Sequence, residues 1–344
     1  MKGFAIFILL VACWASNALA YSVGFDQVQL YTDSNRPLKA SVWYPSQTTF
    51  PTERIAENAA FLGTDVVRVG TPLAGRFPLV GTFPLVVMSH GYRGNWRNQN
   101  WLATKLVQDG YVVASLDHPG TTSFDHSAQA AAQWWQRAGD LSRLLDWLLN
   151  ESYLLPNIDA NNITAIGHSL GGWTVMLLAG GQFDRDQLKQ ECVLKNNPRV
   201  CGLMPELGLD RAQTGEPTGS LKDNRIKQVI TLDLGLARSL SRQSLQALTV
   251  PTLIFAAGVD IGDLPQAEES GFLAQYIPSN NRQYIVYPDA AHFSFMQLCK
   301  PGAIEMIEEE EPGDGIVCKD GNERSRDELH QVIYQDIMHF LKKS

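Results

Sequence analysis

Gly167-His168-Ser169-Leu170-Gly171, followed by Gly172, is the segment of this chain best suited to covalent chemistry. The apolar run Ile163–Ile166 before it reads as a buried strand, and Trp173–Ala179 after it as a buried helix. A G-x-S-x-G between strand and helix is a nucleophile elbow. The turn is so tight that side chains two residues before or after the serine would clash, which calls for glycine at both places. The serine is then held strained, with its hydroxyl exposed and the following backbone N–H groups facing the space in front of it. The competing reading, a glycine-rich turn with an inert serine, leaves the strand, the helix and Gly172 as coincidences.

A serine hydroxyl needs a base within hydrogen-bond reach, and the base needs an acid to orient it. With an elbow the chain order is serine, acid, histidine. His292, His330 and His339 follow Ser169. His292 lies in Asp289-Ala290-Ala291-His292-Phe293-Ser294-Phe295, directly after the last apolar run, and is taken as the base. His330 and His339 fall on a terminal helix as surface or packing residues. The acid stays open. Asp260, after Leu253–Ala257, is favoured; Asp233, after Gln228–Leu232, is the alternative, and Asp263 a weaker third. An oxyanion needs two backbone donors. One is the N–H of Leu170. The other is the N–H of Tyr92 in His90-Gly91-Tyr92-Arg93-Gly94, which follows the run Leu85–Ser89. His90 and His118 read as loop braces.

The elements that must position these groups alternate. Lys39–Tyr44, Leu85–Ser89, Val112–Leu116, Ile163–Ile166, Gln228–Leu232, Leu253–Ala257 and Gln283–Tyr287 read as strands. Trp101–Gln108, Trp134–Leu149, Trp173–Gly180 and Asp327–Lys342 read as helices. Leu141, Leu144, Leu145 and Leu148 mark a plain buried helix face. Such alternation predicts an α/β fold: a mainly parallel sheet, helices on both faces, chemistry at the carboxyl ends of the strands. Two stretches break the rhythm, about 47–83 and 181–225. The second follows the helix after the serine, so it is either a lid-like insertion over the site or a surface decoration. Glu308 to Glu311 with Pro312-Gly313-Asp314-Gly315 reads as a solvated acidic loop rather than a Ca²⁺ loop.

Lys2, the apolar Phe4–Val11 and Ala18-Leu19-Ala20 make residues 1–20 a secretory signal peptide, leaving 21–344 as a single domain that is secreted or periplasmic. Leu10-Val11-Ala12-Cys13 offers a rival cut that would leave a lipid anchor at Cys13. No other run is long enough to span a bilayer. Cys192, Cys201, Cys299 and Cys318 remain, an even number that in an exported chain reads as two disulfides, paired as near neighbours. No C-x-x-C or Cys/His spacing suggests a metal. The full chain carries a net charge of −8 without a basic stripe, which argues against nucleic acid as a partner.

Val42-Trp43-Tyr44-Pro45, Val87-Met88-Ser89-His90-Gly91, Asp117-His118-Pro119-Gly120, the elbow and Ala291-His292-Phe293-Ser294-Phe295 resemble, in this order, a bacterial member of the α/β-hydrolase superfamily. More narrowly the chain is similar to the platelet-activating-factor acetylhydrolase and predicted dienelactone hydrolase group. The resemblance implies an α/β-hydrolase fold and a Ser–His–Asp ester hydrolase without metal or organic cofactor, acting on a small-molecule or lipid ester. Ser169 would be the nucleophile and His292 the base. The acetylhydrolase branch places its acid at the strand end matching Asp233. Dienelactone hydrolases proper use cysteine as nucleophile, and this chain has serine. The expectation is an exported serine esterase working through an acyl-enzyme. The rivals are a phospholipase A2-like acetylhydrolase, an amidase or acyltransferase of the same fold, and a binding protein without catalysis.

Overall fold

The apolar runs assemble, among the described residues, into one ten-stranded sheet. The structure is a computed structural model that describes residues 21–46, 51–68, 82–151, 158–260, 264–321 and 323–343. The expected signal peptide with Cys13, and Asp263, lie outside them. The strands are β1 (Ser22–Leu30), β2 (Leu38–Ser46), β3 (Thr52–Ile55), β4 (Thr64–Arg68), β5 (Phe83–Ser89), β6 (Val112–Asp117), β7 (Ile158–His168), β8 (Gln228–Leu232), β9 (Thr252–Val259) and β10 (Arg282–Ala291). Their order is β10-β9-β8-β7-β5-β6-β2-β1-β4-β3. From β10 to β6 every neighbouring pair is parallel; β2 meets β6 and β1 antiparallel. This is the expected mainly parallel sheet.

The helices are α1 (Asn100–Gln108), α2 (Ala128–Ala131), α3 (Gln136–Asp146), α4 (Leu170–Ala179), α5 (Arg185–Leu194), α6 (Pro198–Cys201), α7 (Arg242–Gln246), α8 (Ser270–Tyr276), α9 (Ala303–Glu310) and α10 (Arg326–Leu341). They cover both faces of the sheet. On one, Leu141 and Leu145 of α3 and Trp173 and Leu177 of α4 pack on Leu85 and Val87. On the other, Leu102 and Leu106 of α1 and Ile333 and Ile337 of α10 pack on Val86 and Met88. Strands buried on both faces draw mainly on apolar residues, as the runs in β5, β6 and β8 do, with Ser115 and Asp117 in β6 and Gln228 and Thr231 in β8 as buried polar exceptions.

Three strands and several helices went unread in the sequence. In β1, Val23 and Phe25 join one core and Leu30 the other, so its apolar residues do not line up on one face. The acidic run is not wholly a loop: Glu308, Glu309 and Glu310 end α9, and Gly313 N–H donates to Glu308 Oε2 at 2.7 Å. The cysteines pair as near neighbours, Cys192–Cys201 with S–S 2.02 Å and Cys299–Cys318 with S–S 1.96 Å.

Candidate active site

Ser169 sits between β7 and α4 with φ 54° and ψ −123°. Such a conformation costs a non-glycine residue about 1–3 kcal/mol, and the surrounding turn must hold it. The flanking glycines show how. A Cβ on Gly167 would lie 2.0 Å from the Gly171 carbonyl oxygen, and one on Gly171 would lie 2.0 Å from the Ser89 carbonyl oxygen. The serine N–H donates to Leu232 O at 3.1 Å, which ties the turn to the end of β8. α4 is buried along its whole length, so the elbow rests on a fixed element.

His292 opens a short turn after β10 and lines, with Ser169, a pocket of about 100 Å³. Its Nδ1 lies 2.7 Å from Asp233 Oδ2. The other carboxylate oxygen, Oδ1, accepts the Ala257 N–H at 2.8 Å. Asp233 is buried and backbone-strained at φ 44°, fixed by β8 on one side and β9 on the other. A buried carboxylate fully engaged in this way orients an imidazole: it takes the Nδ1–H and leaves Nε2 free to accept a proton. His168 adds a second hold on His292. Burial, and after it the neighbouring His292, lower the pKa of His168 to about 3, so the ring is neutral. Its Nε2–H donates to the His292 carbonyl at 2.9 Å.

Asp260, favoured from the sequence, stands elsewhere. It is exposed, and its Oδ1 accepts the Leu264 N–H at 2.9 Å. The reason is strand length. β9 runs past Ala257 to Val259, which pairs with Ala291 after an irregularity in β10. The extra residues carry Asp260 beyond the sheet edge, whereas β8 stops at Leu232 and leaves Asp233 beside the histidine. Of the two aspartates, Asp233 is therefore the one set against His292, and Asp260 caps a loop.

Leu170 and Tyr92 line the same pocket. As the first residue of α4, Leu170 has no partner for its N–H within the helix. Among the described residues no backbone acceptor takes either N–H. The Tyr92 peptide is held from its other end: the Gly91 carbonyl accepts from His90 Nδ1 at 2.7 Å and from Gly94 N–H at 3.1 Å. His90 and His118 are buried braces, each with its pKa pushed well below the usual histidine range by burial and, next, by the Arg137 charge.

The 181–225 insertion reaches the site. Arg199, Val200 and Leu203 line the pocket together with Leu170 and Leu236; Arg199 and Val200 sit within the loop that Cys192–Cys201 closes. A wider groove of about 770 Å³ shares Tyr92, Ser169 and His292 and adds Phe61, Arg97 and Phe124. Sequence reasoning missed Arg137, which lies four residues before Leu141 on the buried face of α3. A charge on an apolar stripe was the available signal. Leu236 lines the pocket without any pattern that would have marked it.

The strand order, the helices on both faces and the elbow define an α/β-hydrolase fold. A solved structure of a ferulic acid esterase from Streptomyces cinnamoneus has the same fold, with a TM-score of 0.62 and 18% identity over 95% of this chain and 91% of that one. No family model matches the chain. Among curated proteins, cutinase est1 of Thermobifida alba is 30% identical over 130 residues, covering 37% of this chain and 40% of that protein. Cutinase 2 of Thermobifida cellulosilytica is 30% identical over 105 residues, covering 30% of this chain and 37% of that protein. The chain thus spans 40% or less of the length of these two relatives.

Proposed function

We propose that this protein is a serine hydrolase that cleaves carboxylic esters, with Ser169 as nucleophile, His292 as base and Asp233 as acid. The 2.7 Å pairing of His292 with buried Asp233, on a ring that lines the pocket of a strained serine, carries the proposal. Asp233 holds the Nδ1–H, so His292 Nε2 takes the Ser169 proton as Oγ attacks the ester carbonyl. The oxyanion accepts the N–H groups of Leu170 and Tyr92. Collapse expels the alcohol, which takes the proton back from His292 and leaves an acyl-enzyme. A water molecule, deprotonated by His292, then attacks the acyl carbonyl; the acyl–Oγ bond breaks, the acid leaves and His292 returns the proton to Ser169 Oγ.

The partial match to two cutinases supports an ester as substrate. Apolar Leu170, Val200, Leu203 and Leu236 around the small pocket suit one apolar arm of that ester, and the wide groove suits the other. An acid at Asp233 agrees with the acetylhydrolase branch that the sequence resembles, and a serine nucleophile disfavours a dienelactone substrate. Residues 21–344 form one catalytic domain, roofed by the 181–225 insertion. Two closed cysteine pairs suit an exported enzyme.

Fluorophosphonate labelling together with p-nitrophenyl ester hydrolysis tests this reading. Wild type labels once and hydrolyses; Ser169→Ala does neither, with a loss of about 10³–10⁶-fold in kcat. A folded wild type that neither labels nor hydrolyses is a binding protein on this fold. Residual activity in Ser169→Ala above about 1% of wild type removes Ser169 from its role.

A further inference from the structure

A cluster of charged and hydrogen-bonded groups lies beneath the catalytic elbow, outside the pocket. Ser89 Oγ is 2.9 Å from His118 Nε2, and His118 Nδ1 is 3.0 Å from Asp140 Oδ2. The order of contacts imitates a catalytic triad. Ser89, His118 and Asp140 are only 1%, 0% and 0% exposed, so no substrate reaches them. Asp140 is neutralised by Arg36, whose Nε and Nη2 donate to it at 2.7 and 2.8 Å. Neutral His118 gives its Nδ1–H to the carboxylate and accepts the Ser89 hydroxyl at Nε2. Ser89 Oγ is then free to accept from Arg137 Nη2 at 3.2 Å.

Arg137 makes three more contacts. Nη2 donates to the His90 carbonyl at 2.6 Å, Nε to Thr174 Oγ1 at 2.9 Å, and Nη1 to Thr121 Oγ1. Each partner leads to the elbow or to the loop facing it. His90 is two residues before Tyr92. Thr174 Oγ1 donates to the Leu170 carbonyl at 3.0 Å. Thr121 O accepts the N–H of Arg93, next after Tyr92, at 2.8 Å. One planar fork therefore spans the loop that carries the Tyr92 N–H and the first turn of the helix that begins with the Leu170 N–H. These segments come from different strands, β5 and β7, and no covalent bond sets their spacing.

We propose that Arg137 is a positioning residue that sets the spacing of the two oxyanion donors, the N–H groups of Leu170 and Tyr92. A buried guanidinium suits this role, because its donors diverge in a fixed plane and desolvation strengthens each bond it makes. A lysine there keeps the charge but has no fork. The proposal rests on Leu170 and Tyr92 being the oxyanion donors of the proposed esterase.

The test compares an ester with the matching thionoester, which puts sulfur where the oxyanion forms and fits poorly between donors set for oxygen. Wild type should favour the ester strongly in kcat. Arg137→Lys should lose about 10²-fold in ester kcat, keep KM within about threefold and lose most of its preference for the ester. Thr174→Val, close in shape, cuts only the arm to Leu170; it should shift the same ratio in the same direction and carries the test if Arg137→Lys fails to fold. Leu141→Ala, a core truncation on the same helix, should lower stability and leave the ratio unchanged. If wild type discriminates and the Arg137 and Thr174 variants discriminate equally well, the positioning role is refuted and the oxyanion assignment stands. Loss of the ratio in Leu141→Ala as well would reduce the effect to general loosening and also refute it. A wild type without ester preference overturns the oxyanion assignment and this proposal with it.

Discussion

Replacing Asp233 by asparagine is the perturbation whose outcome the geometry constrains most. The carboxylate accepts two hydrogen bonds, from Ala257 N–H at 2.8 Å and from His292 Nδ1 at 2.7 Å. An asparagine of the same shape has one acceptor oxygen. The Ala257 N–H is fixed in β9 and can only donate, so the amide oxygen must face it. The amide NH₂ is thereby turned toward His292 Nδ1. A donor facing Nδ1 favours the tautomer with its proton on Nε2, where Ser169 needs an acceptor. The imidazolium formed in the transition state also loses its adjacent negative charge. Such a tautomer error lowers kcat by about 10³–10⁴-fold, equivalent to about 4–5 kcal/mol, with the fold retained. Asp260→Asn keeps the exposed Oδ1 that caps Leu264 and should change kcat less than about twofold. Initial rates on a p-nitrophenyl ester, normalised to folded protein, read both. Near-wild-type activity in Asp233→Asn, or a loss above about 100-fold in Asp260→Asn, would refute the assignment of the acid.

Two further outcomes follow from the structure. Removing the Cys192–Cys201 bridge by the double change to serine should lower stability by about 2–3 kcal/mol in denaturant unfolding, since it frees a loop of sequence separation 9 in the unfolded chain; because the bridge closes the loop holding Arg199 and Val200 over the pocket, KM should rise more than kcat falls, and an unchanged KM would remove those residues from the roof. His168 and His330, each held down to about 3 first by burial and then by His292 and Arg326 respectively, should stay neutral from pH 7 to pH 5 in ring NMR titrations. Their unfolded counterparts titrate near 6.5, so the unfolded state binds more protons; this contribution to stability is complete above that value and is lost as pH falls toward 3. Protonation of either ring near pH 6 in the folded protein would contradict the burial of both.

The site was legible in the sequence wherever local chemistry demanded a particular residue. The elbow could be read because close approach of three backbone segments admits no Cβ at Gly167 or Gly171, and that demand is written as glycine at fixed spacing. His292 could be read because only one histidine follows Ser169 directly after an apolar run. For the acid the sequence favours Asp260, whereas the carboxylate set against His292 is that of Asp233. Asp233 and Asp260 each follow a strand, and the choice between them depends on where β9 stops. That end is set by pairing between Val259 and Ala291, a contact over sequence distance with no local mark. β1 escaped notice for a related physical reason: its apolar residues feed two cores on opposite faces, so the alternation that marks a half-exposed strand is absent.

The buried polar network explains a different kind of blindness. Arg137 lies on the same helical face as Leu141, Leu144 and Leu145, where periodicity treats a charge as noise in an apolar stripe. Burying it costs enough to depress its pKa to about 9, desolvation outweighing the support of Asp140, yet it stays charged at neutral pH. A fold that needed only stability would do as well with an apolar side chain there, since a buried ion pair rarely outperforms good packing. What an apolar residue could not supply is four directed bonds joining Ser89 and His90, Thr121 and Thr174. The strained serine and the two proposed N–H donors come from loops that no covalent bond aligns. A charge placed against the hydrophobic pattern, directly under those loops, is where the cost of holding them in register becomes visible.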